Sequence, residues 1–574
     1  MADDRFRWHH EVEDVDTIKG MMAISTSLYP DKAAYKVKEK KGAPYKEITY
    51  AQFKEDVDGL GTYLVESGLQ GKKIGIIGAN CYEWVVAYFA VICGVGVVVP
   101  LDKELSSEEI ANLSERAGLS AVFYTGKYDK AFEGLDIERK FNMSVYEDSA
   151  NADVPGHILN AVKEGRRMVS EGVTSYTGIE VDPSALAALL FTSGTTGIPK
   201  GVMLSNRNIT FASLAASRCV HLKDDDVTLS VLPIHHTFEC TMDILTVYSQ
   251  GACVAFCEGL KYVQKNMAEA GVSILVAVPL IVESLYTKIM KQVKKQKKER
   301  ALKALIVLNR NLMALGIDRR RSLFRSIYKN FGGKLRLFIV GAASLDPVAM
   351  RGLMDLGFDI AQGYGLTETA PLISGTPEKL RHDIYIKAGS CGPEVPYGKI
   401  TVEDPDEDGI GEFTYEGPNV MLGYYEMPEE TAKVIRDGKF YTGDLGFKDE
   451  EGWVYITGRS KNVIVTKTGK NIYPEELEVL VNSLPIVTDC MVYGKEEEDG
   501  RDMIVAAQIL PDEEYIRENI SENMTEEEMF DMFKEEVHKI NMTLPDYKRI
   551  RNIMLRKEDF IRTTTKKIKR QENL

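Results

Sequence analysis

Two patterns of apolar residues alternate along most of this chain. Short unbroken runs, such as Ile74–Ile77, Val97–Val99, 185–191 and Leu335–Val340, have the length and character of strands covered on both faces of a parallel sheet. Between them lie stretches such as Ser106–Ala117, whose apolar residues recur at helical spacing and predict amphipathic helices. Strand and helix signals in alternation predict βαβ units and an α/β fold. Trp84–Pro100 is apolar throughout, but it falls short of the ~18–20 residues of a membrane span, and Gly94 and Gly96 interrupt it. A helix to about Cys93, a turn at Gly94–Gly96 and a buried strand at Val97–Val99 account for it more simply.

The pattern also predicts how the chain is divided. Residues 1–180 and 181–389 each read as an α/β subdomain. Between 390 and 457 the strands shorten and glycines and Asp/Gly turns multiply, predicting a β-rich subdomain. A smaller α/β piece follows from about 462 to 574, and no internal repeat is evident. A length of 574 residues agrees with more than one core.

Composition narrows the function classes. With 44% hydrophobic and 27% charged residues the chain reads as soluble and globular. Its net charge of −15 argues against a nonspecific nucleic-acid binder, which needs positive charge to displace counterions. The N-terminus is polar and lacks the apolar core of a signal peptide. Eight scattered cysteines form no CxxC pair, Cys253 and Cys257 included. They read as small buried hydrophobes in a reducing cytoplasm.

Charge inverts locally between Lys288 and Arg336, where sixteen basic residues accompany only Glu299 and Asp318. The apolar, helical Ala301–Leu315 lies inside this insertion. Two readings stay open: a solvated helical pair, which charge runs usually are, or peripheral contact of 288–336 with an anionic membrane surface.

Candidate chemistry concentrates after the apolar run 185–191. The loop Thr192-Ser193-Gly194-Thr195-Thr196-Gly197 is closed by Pro199-Lys200-Gly201. It offers hydroxyls, backbone N–H groups that glycine leaves approachable, and one mobile ammonium, which together suit phosphate oxygens. It is not the P-loop of NTPases, because no Gly-Lys pair occurs and Gly201 follows the lysine where that motif has Ser or Thr. This block resembles the signature loop of the adenylate-forming superfamily, which includes acyl-CoA synthetases, luciferases and adenylation domains of peptide synthetases. Asn206 stands where many relatives carry His.

Further motifs extend the resemblance in order along nearly the whole chain. Gly363-Tyr364-Gly365-Leu366-Thr367-Glu368 is similar to the superfamily's Tyr-Gly-x-Thr-Glu motif. It supplies an aromatic face, a hydroxyl and a carboxylate. The resemblance implies that Tyr364 stacks on adenine, Thr367 contacts the α-phosphate and Glu368 holds Mg2+, with Gly341, Ala342 and Ala343 walling the adenine pocket. Tyr441-Thr442-Gly443-Asp444 matches the ribose motif, in which the carboxylate accepts from both ribose hydroxyls. Arg459 resembles the arginine on ribose or phosphate, and Lys461 occupies the hinge position. Gly469 falls where relatives line the pantetheine tunnel.

Near the C-terminus, Thr564-Thr565-Lys566-Lys567-Ile568-Lys569-Arg570 resembles the catalytic-lysine motif, with Lys566 in place of its usual glycine. Register favours Lys567, and Lys566 stays a candidate. By resemblance His236, in Leu232-Pro233-Ile234-His235-His236, lies at the mouth of the carboxylate pocket; a lone histidine is as often structural.

The resemblance implies an N-terminal AMP-binding domain over 1–457, a hinge at 458–461 and a mobile C-terminal domain over 462–574. The basic insertion and the Thr-Thr-Thr-Lys-Lys ending look most like long-chain fatty acyl-CoA synthetases. The implied activity forms an acyl-adenylate from ATP with loss of pyrophosphate, then transfers the acyl group to CoA. Aryl or bile acids as substrate, or acyl carrier protein as acceptor, stay open, as does a membrane-docked scaffold with an inactive nucleotide site. The implied location is cytoplasmic, with attachment at the inner membrane face left open. The sequence sets no oligomeric state and is compatible with a homodimer.

Overall fold

A computed structural model describes residues 14–143, 156–192, 199–465, 470–496, 503–562 and 567–574. Ser193, Gly194, Thr195, Thr196, Gly197, Lys566 and Gly469 lie outside the described residues. Internal contacts divide the chain into two units, one of Met1–Ile400 with Tyr415–Phe440, the other of Thr401–Thr414 with Tyr441–Leu574. The fold is mixed α/β, as the alternating pattern predicts.

In the first unit a seven-stranded sheet runs in the order Gly423–Tyr424, Lys200–Ser205, Leu186–Thr192, Gly96–Pro100, Lys72–Ile77, Ala121–Tyr124, Arg139–Asn142. Its last five strands are parallel; Lys200–Ser205 folds back antiparallel on Leu186–Thr192. A four-stranded sheet pairs Ala33–Val37 in parallel with Cys253–Phe256. Another orders Ile274–Ala277, Leu337–Val340, Asp359–Tyr364 and Ser374–Gly375. The boundary expected near 180 therefore does not separate sheets. In such sheets crossovers, not chain order, decide which strands pair, so Leu186–Thr192 extends the sheet begun by Lys72–Ile77.

The Trp84–Pro100 stretch is a helix Tyr82–Ala90, a π-helical turn Val91–Val95 and a strand Gly96–Pro100. Gly94 sits at φ 153°, and a side chain at Gly96 would overlap the Lys72 carbonyl oxygen of the neighbouring strand. The helix Ser107–Ala117 starts at a capping box between Ser106 and Glu109 and ends at Gly118 in the left-handed conformation. Its buried stripe of Ile110, Leu113 and Ala117 packs with Val99 and Val122.

The basic insertion forms helices Pro279–Lys295 and Glu299–Ala314. Several of its arginines are paired with specific acids, most of them outside it. Arg310 makes a two-pronged bond to Asp355 at 2.6 and 3.0 Å, and Arg336 bonds Asp226 and Glu378. Arg320 is buried and bonds Asp318 and the Met354 carbonyl. Lys288, Lys291, Lys294, Lys295, Lys297, Lys298 and Lys303 are exposed, as are Val307, Leu308, Met313, Leu315 and Ile317. Among the described residues no helix is long and apolar enough to cross a membrane.

Most of a five-stranded sheet, from Lys399–Glu403 to Val454–Arg459, belongs to the second unit. Beyond it, Val487–Glu496 pairs antiparallel with Met503–Pro511, which pairs in parallel with Ile550–Leu555. Helices Pro474–Asn482 and Glu526–Asn541 contribute Leu477, Val481, Phe533 and Val537 to a core with Val492, Ala507 and Ile509.

Candidate functional site

In the first unit, Thr192 ends one strand and Lys200 opens the next, so the hairpin fixes both ends of the glycine-rich loop. Thr192 pairs directly with Lys200, and its hydroxyl reaches the Lys200 carbonyl at 3.4 Å. The Lys200 ammonium bonds the Glu430 carboxylate at 2.7 Å and lies 4.8 Å from the centre of the Tyr424 ring. Glu430 is held ionised, its pKa brought down to about 2 by hydrogen bonds from Lys200 and Lys433.

Tyr424 also connects this lysine to the second motif, because its hydroxyl donates to Glu368 Oε1 at 2.9 Å. Burial, reinforced by the Glu368 charge, pushes the Tyr424 phenol far above its ordinary range, so it remains a donor. Glu368 stands with Thr367 in a single 3-10 turn, Thr367–Thr369. Its carbonyl accepts from Met421 N–H at 2.8 Å, and buried Asn419 donates to the carbonyls of Thr369 and Leu372 at 2.6 and 2.7 Å. The segment 417–425 thus fixes the turn from behind. Within it Tyr424 reaches two candidate site residues, Lys200 and Glu368.

Tyr364 ends the strand Asp359–Tyr364 and is buried. Its flanking glycines answer to packing. A methyl at Gly363 would stand 2.9 Å from Leu372, and one at Gly365 would overlap the Pro371 carbonyl oxygen. Gly341, Ala342 and Ala343 follow the strand Leu337–Val340. A side chain at Gly341 would come within 2.8 Å of the Phe238 ring, and Ala342 turns the chain with φ 71°.

The histidines lie in the loop after strand Val227–Ser230, and Phe238 begins the π-helix Phe238–Leu245. The rings of His235 and His236 are 4.2 Å apart, and His235 Nε2 stands 3.5 Å from Asp102 Oδ1. His235 also lines a narrow cavity of about 10 Å³ with Tyr88, Leu190, Leu204 and Cys240. Asn206, in the position often taken by His, is buried; its side-chain oxygen accepts from Ile18 N–H at 3.0 Å.

In the second unit, Asp444 and Arg459 face each other across adjacent strands, with Arg459 Nε 2.8 Å from Asp444 Oδ1. Thr442 orients this turn by accepting from Asp444 N–H and donating to the Phe413 carbonyl, while Glu412 accepts from Gly443 N–H. Asp444 is buried and Arg459 partly exposed. Lys461 lies in the 3-10 turn Ser460–Asn462 and is exposed.

Described residues of the basic ending are anchored. Arg570 bonds both oxygens of Glu478 at 2.7 Å, Asn573 exchanges bonds with Ile561, and Arg562 bridges Ile568. Lys567 sits next to that bridge. The residue is exposed by surface area, yet its ammonium loses hydration. That loss, followed by the Arg459 guanidinium, pushes its pKa down to about 8, and the Asp444 charge opposes the shift.

Comparison with known proteins agrees with these motifs. Residues 24–425 match the model of the AMP-binding enzyme family, and 461–574 match the AMP-binding enzyme C-terminal domain. A long-chain-fatty-acid–CoA ligase 5 of Rattus norvegicus is 29% identical over 83% of this chain and 72% of its own length. Long chain acyl-CoA synthetase 1 of Arabidopsis thaliana is 27% identical over 88% and 80%. Among solved structures, an anthranilate CoA ligase in complex with anthranoyl-AMP superimposes with a TM-score of 0.74 at 17% identity, covering 97% of this chain and 96% of that one.

Proposed function

Because this chain belongs to the AMP-binding enzyme family and is a ligase, we propose that it activates a long-chain fatty acid as the acyl-adenylate and transfers the acyl group to CoA. The observation that carries the reading is the linked set Lys200, Tyr424 and Glu368, which joins the end of a phosphate-type loop to a carboxylate suited to a hard cation. The relatives named as long-chain ligases support the substrate class.

A carboxylate resists nucleophilic attack, and acid and ATP repel each other. The first task of the residues is therefore to offset negative charge at the α-phosphorus. Lys200 exchanges its Glu430 partner for phosphate oxygen, and Thr192 to Gly197 supply N–H and hydroxyl donors. Glu368 fits Mg2+: one oxygen is held by Tyr424, and no cation pairs with it among the described residues. When bound, Mg2+ supplies charge neutralisation at the phosphates. Tyr364, with Gly341 to Ala343, receives adenine, Asp444 accepts from the ribose hydroxyls, and Arg459 orients Asp444. His236 orients the acid. Lys567 adds positive charge between acid and nucleotide oxygens and releases none of its own atoms. Lys461 is the hinge between the two half-reactions, and Gly469 leaves room for the thiol arm.

We place the enzyme in the cytoplasm, since none of its eight cysteines is joined in a disulfide and seven are buried. The exposed lysines and apolar side chains of 288–317 support peripheral contact with anionic membrane. Sedimentation with anionic and neutral vesicles tests this; equal recovery from both overturns it.

The primary test is pyrophosphate release with Mg-ATP across fatty acids from acetate to oleate, with aryl and bile acids alongside, each with and without CoA. Release that peaks with long chains and yields AMP and acyl-CoA is expected. A peak with an aromatic or steroidal acid overturns the substrate, and no release with any acid overturns the activity.

A further inference from the structure

Asp102, His235 and His236 are brought together from distant parts of the first unit. Asp102 follows the strand Gly96–Pro100, whereas the histidines follow Val227–Ser230. One ligand atom from each side chain lies within 4.8 Å of the other two. An imidazole pair with one carboxylate is a donor set typical of zinc-class ions, whose Zn–N and Zn–O bonds are about 2.0–2.2 Å. Oxygen-seeking Mg2+ instead favours carboxylates, phosphates and water.

A second observation points the same way. His235 is only 8% exposed, and among the described residues its Nε2 has no hydrogen-bond partner. This buried nitrogen faces Asp102 Oδ1 at 3.5 Å, beyond good hydrogen-bond length. An unsatisfied buried nitrogen costs free energy unless something completes it. Asp102 Oδ1 is itself held by the Glu104 N–H at 2.9 Å, a support of the kind that orients metal ligands. His235 and His236 are consecutive, and their rings are tilted by 39° with centres 4.2 Å apart.

We propose that Asp102, His235 and His236 form a binding site for a divalent transition-metal ion of the zinc class, separate from the Mg2+ expected at Glu368. Three protein ligands leave a fourth tetrahedral position open to water or a carboxylate. Occupancy takes His236 away from the acid, so zinc inhibits activation competitively with the acid. This last consequence rests on the proposed placement of His236; the binding itself does not.

The experiment uses untagged full-length protein stripped with chelator, in excess Mg2+. Co2+ is titrated by its visible tetrahedral absorption and then displaced with Zn2+. Wild type is expected to bind one equivalent with that spectrum, and Asp102→Asn and His235→Asn to bind at least tenfold more weakly, with thermal melts confirming folding. Absence of stoichiometric tetrahedral Co2+ in wild type overturns the site. So does unchanged binding in both folded variants. Pyrophosphate release is measured in parallel: the apparent KM for the acid should rise with Zn2+ in wild type and much less in Asp102→Asn. Binding without inhibition keeps the metal site and overturns the position of His236; no release at all overturns the adenylation reading while Co2+ binding still decides the site.

Discussion

Replacing Tyr424 by Phe removes one atom and tests one link. The ring stays, so the Lys200 ammonium keeps its aromatic face at 4.8 Å and the packing of a side chain only 6% exposed is retained. What is lost is the hydroxyl that donates to Glu368 Oε1 at 2.9 Å. A hydrogen bond to a charged group contributes about 1.5–3 kcal/mol, and each ~1.4 kcal/mol is tenfold in rate. If the bond holds Glu368 in its working orientation, kcat for pyrophosphate release should fall about 10- to 100-fold. The apparent requirement for Mg2+ should rise, because a carboxylate free to rotate presents its oxygens less often. The assay is acid-dependent pyrophosphate release at several Mg2+ concentrations, with a thermal melt to show that the fold survives. Unchanged kcat and Mg2+ dependence in a folded variant would refute the idea that Tyr424 positions Glu368.

Other substitutions probe the remaining links. Lys567, with its pKa lowered to about 8, carries charge below that pH and loses it above. The adenylation rate should therefore fall as pH rises through about 8; Lys567→Arg should remove that limb, and its persistence would assign the titration elsewhere. Glu430→Gln leaves Lys200 without a competing carboxylate. Since an exposed ion pair is worth little, the KM for ATP should fall only modestly, and a rise would mean that Glu430 aids binding. Gly365→Ala forces a methyl against the Pro371 carbonyl. It should destabilise the protein by about 1–3 kcal/mol, read as a lowered midpoint in urea, and full stability would show that the turn relaxes freely.

The fold was legible wherever burial on both faces writes itself as an apolar run. Ile74–Ile77 and 185–191 fall in strands because no polar residue could occupy either side of a covered sheet. Their partners were not legible. Nothing in Ala33–Val37 announces that its neighbour is Cys253–Phe256, since register between distant strands is a property of crossovers and shared faces. The same gap explains why one sheet takes strands from both sides of residue 180. Charge suffered a related loss: Arg310, Arg320 and Arg336 looked like parts of one basic run, yet each has a specific acid. Acids such as Asp226 and Asp355 are remote in sequence and invisible to a local count.

Candidate site residues were legible where chemistry is local. Thr367 and Glu368 share one turn, and Asp444 sits in a turn arranged by Thr442 two residues before it. Residues that act through a neighbour escaped. Tyr424 lies outside every motif of the sequence analysis, and only the folded chain brings its hydroxyl to Glu368 and its ring to Lys200. Asp102 gave no signal either, because an aspartate after a buried strand is an ordinary way for a chain to leave a sheet. Only the meeting with His235 gives it chemical meaning. Glu430 was no more legible: it is one acid, six residues beyond Tyr424, that returns to the loop lysine. Singling it out would have required knowing that Gly423–Tyr424 pairs antiparallel with Met203 and Val202, which places the following helix Pro428–Val434 close to Lys200. Tertiary pairing therefore comes first, and the local charge logic of the site can be written only after it.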